Sequence, residues 1–153
     1  MSQAAPQPVL VERDGYTISN DPARLDVDAI HAYLTTSYWA QGIPRATVAR
    51  SLQHSTGYGL YAPDGAQVGF TRVITDWTTF AYFCDVYVLD AHRGRGLGVW
   101  LMEIALAQPE LQGIRRLSLT TRDAHGLYEK FGFGRTEFGR FMDKTIPDVY
   151  LLR

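Results

Sequence analysis

The spacing of apolar residues changes along the chain, and each change predicts a different kind of element. Residues 9–19 alternate around Asp14-Gly15, a dipeptide typical of two-residue hairpin turns, which predicts two short strands. Apolar residues at helical spacing then predict a helix over 25–39 and a shorter one over 45–54, with a break at 41–44. The first third is therefore predicted to be a hairpin followed by two helices.

The middle third has the two-residue period of half-buried strands. Strands are predicted over 58–61, 67–75 and 79–89, with turns at 63–65 and 76–78, and together they form an antiparallel meander. On the last of these strands, alternation predicts two faces, one carrying Phe80, Tyr82, Cys84, Val86 and Val88 and the other Phe83, Asp85, Tyr87 and Leu89.

A glycine-rich loop leads into the last third. The pattern after it predicts a helix over 97–108, a strand over 114–121, a helix over 124–131 with Asp123 as its N-cap and Gly132 after its end, and a final strand over 133–143. Residues 1–9 are predicted to be a flexible tail. The chain is thus interpreted as one mixed α+β domain over 1–153.

Composition narrows the function classes. The 153 residues carry 15 basic and 16 acidic side chains, a balance that argues against a nucleic-acid platform. A single cysteine, Cys84, excludes an intrachain disulfide, makes a zinc site unexpected and is interpreted as a buried thiol. The sequence has neither a long apolar stretch nor a signal-peptide pattern, so we expect a cytoplasmic protein without metal.

The loop after the meander has the composition of an anion site. Gly94, Gly96 and Gly98 let backbone N–H groups converge, the following helix adds a positive dipole end, and Arg93 and Arg95 add charge. The spacing fits neither a Walker loop nor the dinucleotide fingerprint. A ligand that carries phosphate or pyrophosphate is therefore predicted, with a simple glycine turn as the alternative.

Two motifs together carry a family resemblance. Arg93-x-x-Gly96-x-Gly98 follows the strand that ends Val86-Tyr87-Val88, and the segment Leu127–Phe133 follows about 30 residues later. With this order of elements, residues 16–133 resemble the GNAT superfamily of acyl-CoA-dependent N-acyltransferases. The resemblance implies a mostly antiparallel twisted sheet of about six to seven strands with helices on both faces. It also implies that a bulge interrupts the strand ending at Val88, and that this strand splays from the strand ending at Thr121 to form a coenzyme A cleft.

The resemblance also implies how acetyl-CoA binds. Its pyrophosphate would lie on the loop amides and its pantetheine arm would pair with the open strand, where a backbone N–H near Val88 polarises the thioester. Thr121 stands where many relatives have asparagine. Its hydroxyl can still form a hydrogen bond, but it cannot replace a pantetheine contact that requires the asparagine amide. The residues implied to bind the co-substrate are Val86, Tyr87, Val88, Arg93, Gly94, Arg95, Gly96, Leu97, Gly98, Val99, Thr121, Ala124 and Tyr128.

Catalytic roles follow from the same resemblance and from charge placement. Tyr128 falls where the superfamily has a tyrosine beside the thioester sulfur, so it is the candidate general acid. Asp85 is the candidate base, and an ion pair with Arg72 is the equally weighted alternative. His125, three residues before Tyr128, is a further candidate. The acceptor pocket is expected among Tyr33, Tyr38, Trp39, Arg45, Trp77 and Tyr82.

The predicted function is acetyl transfer from acetyl-CoA to a primary amine of a small molecule or peptide, by direct attack in a ternary complex. A non-catalytic acyl-CoA-binding sensor or interaction module of the same fold is the alternative, and an unrelated mononucleotide-binding protein is a second. The segment after residue 138 lies outside the general superfamily pattern, and a homodimer could form through it. The sequence does not identify the acceptor.

Overall fold

The computed structural model describes residues 5–152 as a sheet with helices on both faces. Ten elements follow the chain: β1 (Leu10–Arg13), β2 (Tyr16–Ser19), α1 (Val27–Leu34), α2 (Arg45–Gln53), β3 (Thr56–Tyr61), β4 (Gln67–Thr75), β5 (Phe80–Val88), α3 (Leu97–Leu106), β6 (Arg116–Leu119) and α4 (His125–Glu129).

The six strands of this part of the chain form one sheet in sequence order. All neighbours are antiparallel except β5 and β6, which run parallel and pair from Phe80 opposite Arg116 to Phe83 opposite Leu119. Beyond Phe83, β5 continues to Val88 without a β6 partner among residues 5–152. The predicted split between the middle strands is therefore present.

The predicted hairpin forms as expected. Asp14 and Gly15 both have positive φ, 51° and 81°, as the two central residues of a type I′ turn require, and β1 pairs with β2 around them. Of the predicted tail, residues 1–4 lie outside the described residues. Gln7 and Val9 donate backbone hydrogen bonds to Glu110 and Asn20, at 2.8 and 2.7 Å.

β5 contains the bulge that the resemblance implies, and this bulge overturns the alternation of faces predicted from the apolar pattern. Arg72 is opposite Cys84 and Phe70 is opposite Tyr87, so β5 contains one more residue than β4 in this interval, and Asp85 takes a positive φ of 58°. Phe83 and Tyr87 consequently point to opposite faces of the sheet instead of sharing one. The prediction was wrong because an inserted residue reverses the alternation.

Two apolar clusters hold the helices on the sheet. Phe83 joins Leu97, Trp100 and Leu101 of α3 on one face, where Tyr128 of α4 also packs. Tyr87 packs on the other face, in the second cluster, which comprises Ile30, Leu34, Ala40, Ile43, Val48 and Phe70 with partly buried neighbours. The bulge therefore lets one strand contribute aromatic rings to both layers.

The first predicted helix is shorter than its apolar pattern suggests. α1 ends at Leu34 because the hydroxyls of Thr36 and Ser37 donate to the carbonyls of Tyr33 and Leu34, at 2.9 and 2.7 Å. These local bonds compete with continued helix. The segment from 35 to 42 forms turns instead, from which Trp39 reaches Asp85 of β5 and Tyr38 reaches Arg122.

The end of the chain also differs from prediction. Thr121, not Asp123, shapes the start of α4, since its Oγ1 accepts from the N–H of Ala124 at 3.0 Å. Gly132 follows the helix with φ 86°, as expected. Residues 133–143 form no strand; glycines at 134 and 139 weaken strand formation, and the Phe138 side chain is fully exposed.

Candidate active site

The glycine loop presents an open helix N-terminus. Gly94 and Gly96 take positive φ, 78° and 73°, and Gly96 is the N-cap of α3 without any side chain to satisfy the first turn. The N–H groups of Leu97, Gly98 and Val99 begin that turn, whereas Trp100 already donates to the Gly96 carbonyl at 3.1 Å. Free amides at the positive end of a helix are suited to bind an anion.

Gly98 leaves space between this helix and β5. A Cβ built on Gly98 would meet only Val88 Cγ2 within 4 Å among the residues that the structure describes, at an ordinary contact distance of 3.8 Å. The protein interior therefore does not demand glycine here. The missing side chain opens the surface beside the free end of β5, where a bound group could approach the backbone.

The open stretch of β5 directs alternate backbone groups into the split. Leu89 donates to the Val68 carbonyl at 2.8 Å, so the Tyr87 and Leu89 backbones face β4. Because neighbouring residues of a strand alternate, the N–H groups of Val86 and Val88 face away from β4, toward the split. Tyr87 does not face it, since its side chain is buried and stacks on Tyr33 with ring centroids 3.9 Å apart.

Arg93 is tied across the mouth of the split. Its Nε donates to the Val88 carbonyl at 2.9 Å, its Nη1 lies 2.7 Å from Asp90, and its Nη2 reaches the Tyr33 hydroxyl at 3.4 Å. The Val88 carbonyl is thus occupied by a side chain, and the Val88 N–H is the group left facing the split. Arg95 is exposed on the same loop.

Tyr128 lies on α4 and is nearly buried. Only 8% of it is exposed, and burial, aided by Tyr38 and Asp123, raises its pKa to about 12. The phenol is therefore protonated at neutral pH and can donate a proton. The end of α4 holds the residue in place, because Phe131 and Phe133 donate backbone hydrogen bonds to the Tyr128 carbonyl at 3.0 and 3.3 Å.

A cavity of about 700 Å³ opens beside Tyr128. Thr121, His125 and Tyr82 line it with Tyr128, and the segment 133–139 forms its outer wall. The Tyr82 hydroxyl donates to Thr120 Oγ1 at 3.2 Å, which fixes the ring on the cavity floor. The structure therefore brings the candidate acid, the candidate His125 and one predicted acceptor residue into a single cavity.

Asp85 occupies the bulge and is held from two sides. Its Oδ2 accepts from Arg72 Nε at 2.8 Å, and its Oδ1 accepts from the Trp39 indole N–H at 3.1 Å. The Asp85 and Arg72 side chains are only 9% and 15% exposed. The ion pair considered as the alternative is thus present, and Trp39 is brought to the same carboxylate.

Sequence reasoning missed a bridge between two loops. Tyr38, from the turns after α1, has the Arg122 guanidinium 3.9 Å above its ring, and its hydroxyl accepts from the Arg122 N–H at 3.3 Å. Trp39 packs edge-on against Tyr38 with centroids 5.0 Å apart. The aromatic residues in this segment were predicted to line a pocket. Nothing in the sequence, however, indicates that Tyr38 contacts Arg122, 84 positions later.

Two predicted acceptor residues lie elsewhere. Arg45 forms an exposed ion pair with Asp28, and Trp77 lines a separate cavity of about 300 Å³ together with His54 and Ser55.

Cys84 is partly buried on β5, where burial raises the pKa of its thiol to about 12. A protonated thiol is a poor nucleophile, which favours direct transfer over a covalent cysteine intermediate.

No helix within residues 5–152 has the length and apolar character of a bilayer span. Over that range, no three His, Cys, Asp or Glu side chains come together in a way that could hold a metal ion.

Comparison with known proteins identifies the class. Residues 53–135 match the family model of the acetyltransferase (GNAT) domain. A Gibberella zeae protein named "Putative acetyltransferase" is 35% identical over 151 residues, with 84% of each chain covered. A crystal structure of a "putative acetyltransferase belonging to the gnat family" from Xanthomonas campestris pv. campestris is 46% identical, covering 88% of this chain and 96% of that one, with a TM-score of 0.84.

A more distant structure shows the same fold. A "predicted acetyltransferase with acetyl-CoA" from Clostridium acetobutylicum is 12% identical, covers 85% of this chain and 94% of its own, and has a TM-score of 0.63. The protein described here is an acyltransferase enzyme. The chain belongs to the GNAT acetyltransferase family.

Proposed function

We propose that the protein transfers an acetyl group from acetyl-CoA to a primary amine of a small molecule or peptide. The observation that carries this proposal is the open N-terminus of α3 beside the N–H groups of Val86 and Val88, which face the split and have no strand partner there among residues 5–152. An anion and an extended amide-bearing chain can be bound there side by side, as the two halves of coenzyme A require. The acetyl-CoA bound by the Clostridium acetobutylicum relative supports the same co-substrate.

In the proposed reaction, the amine nitrogen attacks the thioester carbonyl carbon directly. The Val88 N–H donates to the carbonyl oxygen as it becomes an oxyanion. When the C–S bond breaks, the thiolate takes the Tyr128 phenolic proton, and the amine loses its proton to a base. The products are the N-acetyl amine and coenzyme A, and holding both substrates in one cleft supplies much of the rate.

Asp85 is the group proposed to receive the amine proton, directly or through water. Its Oδ1 is the oxygen proposed to act, because its partner is the half-exposed Trp39 indole, whereas Oδ2 is paired with the largely buried Arg72. An amine that displaces the indole would meet both a carboxylate and an aromatic face. Trp39, Tyr33 and Tyr38 thus form the proposed wall of the acceptor site, with Tyr82 on its floor.

Two variants separate a base from a structural ion pair. Asp85→Asn and Arg72→Gln each break the buried pair, so each should lower the free energy of unfolding by about 3 kcal/mol. If Asp85 is the base, Asp85→Asn should lower kcat at least about a hundredfold and Arg72→Gln less than about tenfold. Steady-state kinetics and denaturant unfolding on both variants make the comparison, and equal losses of kcat would restrict Asp85 to the ion pair.

An amine-panel assay tests the function itself. Calorimetry with acetyl-CoA establishes binding, and thiol release in the presence of primary amines establishes transfer. Acetyl-CoA binding with no thiol release across a broad panel would favour the sensor module. An absence of binding at millimolar acetyl-CoA would overturn the proposal and the sensor reading together.

The cytoplasmic location and the homodimer stay predictions. The outer edge of β6 is unpaired within residues 5–152, and the segment after it exposes Phe138, Met142 and Ile146. If two copies pair through this segment, light scattering should give twice the 17.2 kDa chain mass, and Met142→Lys should reduce that mass to one chain. A single-chain mass for the unmodified protein would contradict the dimer.

A further inference from the structure

The β1–β2 hairpin reaches the glycine loop with two side chains. Arg13 and Tyr16 lie directly opposite one another across the type I′ turn, so their side chains project from the same face. Tyr16 Oη and His92 Nδ1 are joined by a hydrogen bond of 2.8 Å, and their rings meet edge to face at 5.7 Å. Arg13 Nη2 donates to the Gly96 carbonyl at 3.3 Å.

These contacts hold the loop at both ends. His92 closes the 3₁₀ turn that precedes the loop, and Gly96 is the N-cap of α3. The Arg13 guanidinium also lies 4.5 Å above the ring of Trp100, in the first turn of α3. The hairpin therefore connects the end of β5 to the start of α3 through contacts that span about 80 positions of sequence.

Within the loop, Arg93 is held by Val88 and Asp90, but the stretch from Gly94 to Gly96 is loosely packed. A Cβ at Gly94 or Gly96 would meet nothing within 4 Å in the described part of the chain. Glycine also loses more backbone freedom on ordering than any other residue. A ligand that binds the loop amides would have to order this segment unless the protein has already done so.

We propose that Tyr16, His92 and Arg13 are positioning residues that preorganise the loop for the pyrophosphate of the acyl donor. This inference rests on the proposed function, because it takes acetyl-CoA as the ligand. Preorganisation raises affinity by removing an ordering cost from the binding step. Tyr16 is 7% exposed and packs in the cluster under α3, so it acts from the core and not by touching the ligand.

The test removes only the Tyr16 hydroxyl. Tyr16→Phe keeps the ring in its packing but breaks the bond to His92, and it should raise the Kd for acetyl-CoA about fivefold to tenfold while kcat at saturating donor stays unchanged. Tyr58→Phe is the matched control. It also loses a buried phenol hydrogen bond, to Gln108 at 2.7 Å, but beyond the opposite end of α3, and it should keep the Kd of the unmodified protein.

A donor without pyrophosphate separates positioning from general damage. S-acetylpantetheine has the thioester arm but cannot engage the loop, so its kcat/KM should be the same for the unmodified protein and Tyr16→Phe. A structural fault would lower the rate with both donors. Arg13→Met, on the rim of the hairpin, gives a second variant with the same expected pattern should Tyr16→Phe fold poorly.

The outcomes distinguish a failure of this inference from a failure of the proposed function. If the unmodified protein binds acetyl-CoA and both Tyr16→Phe and Arg13→Met bind it equally well, the inference is overturned and the proposed function stands. Equal losses with acetyl-CoA and S-acetylpantetheine would also overturn the inference. If the unmodified protein does not bind acetyl-CoA, the proposed function and the inference fail together.

Discussion

Tyr128→Phe should lower kcat at least about a hundredfold while the affinity for acetyl-CoA stays unchanged. The substitution removes the proton that the departing thiolate needs and keeps the ring, which packs against Phe133 with centroids 6.2 Å apart. Because burial holds the Tyr128 pKa at about 12, the proton is present throughout the neutral range. The deficit in kcat should therefore persist across that range.

Tyr61→Phe is the control for this experiment. Tyr61 is 4% exposed, burial likewise raises its pKa to about 12, and its hydroxyl donates to the Arg24 carbonyl at 2.9 Å, outside the cavity. The Tyr61→Phe variant should be somewhat less stable than the unmodified enzyme and should have the same kcat. Steady-state kinetics with thiol detection make the measurement. A kcat for Tyr128→Phe within twofold of the unmodified enzyme would reduce Tyr128 to a packing role.

Gly98→Ala should change stability and binding in opposite directions. Alanine is the better helix former, and the added Cβ finds only a 3.8 Å contact with Val88, so the free energy of unfolding should rise by up to about 1 kcal/mol. The same methyl group projects into the space beside the free end of β5. The Kd for acetyl-CoA should therefore rise at least about tenfold, as overpacking a close contact does.

Gly126→Ala provides the comparison. Gly126 is also the second residue of its helix, and a Cβ there would meet nothing within 4 Å among the described residues. The Gly126→Ala variant should gain a similar amount of stability and bind acetyl-CoA with an unchanged Kd. Thermal unfolding and calorimetry on the two variants suffice. Unchanged acetyl-CoA affinity in Gly98→Ala would mean that the ligand does not approach the backbone at this point.

Local pattern predicted most of the elements and the position of the glycine loop. The Asp14-Gly15 turn, the strand over Gln67–Thr75 and the glycine loop each depend on neighbours in sequence, so their signals are legible without tertiary contacts. The shortened α1 and the missing final strand were not predicted. Competing hydroxyl bonds at residues 36 and 37 ended the first, and glycines at 134 and 139 weakened the second.

The sequence by itself indicated the class of protein through a resemblance, because the two motifs that carry it, the glycine loop and the segment Leu127–Phe133, each consist of consecutive residues and depend on local geometry alone. The tertiary structure decided what surrounds that loop. One inserted residue at Asp85 turned Phe83 and Tyr87 to opposite faces and placed the carboxylate between Arg72 and Trp39. Such pairings depend on strand register and on chain segments far apart in sequence, and a shift of one residue reverses every side chain beyond it.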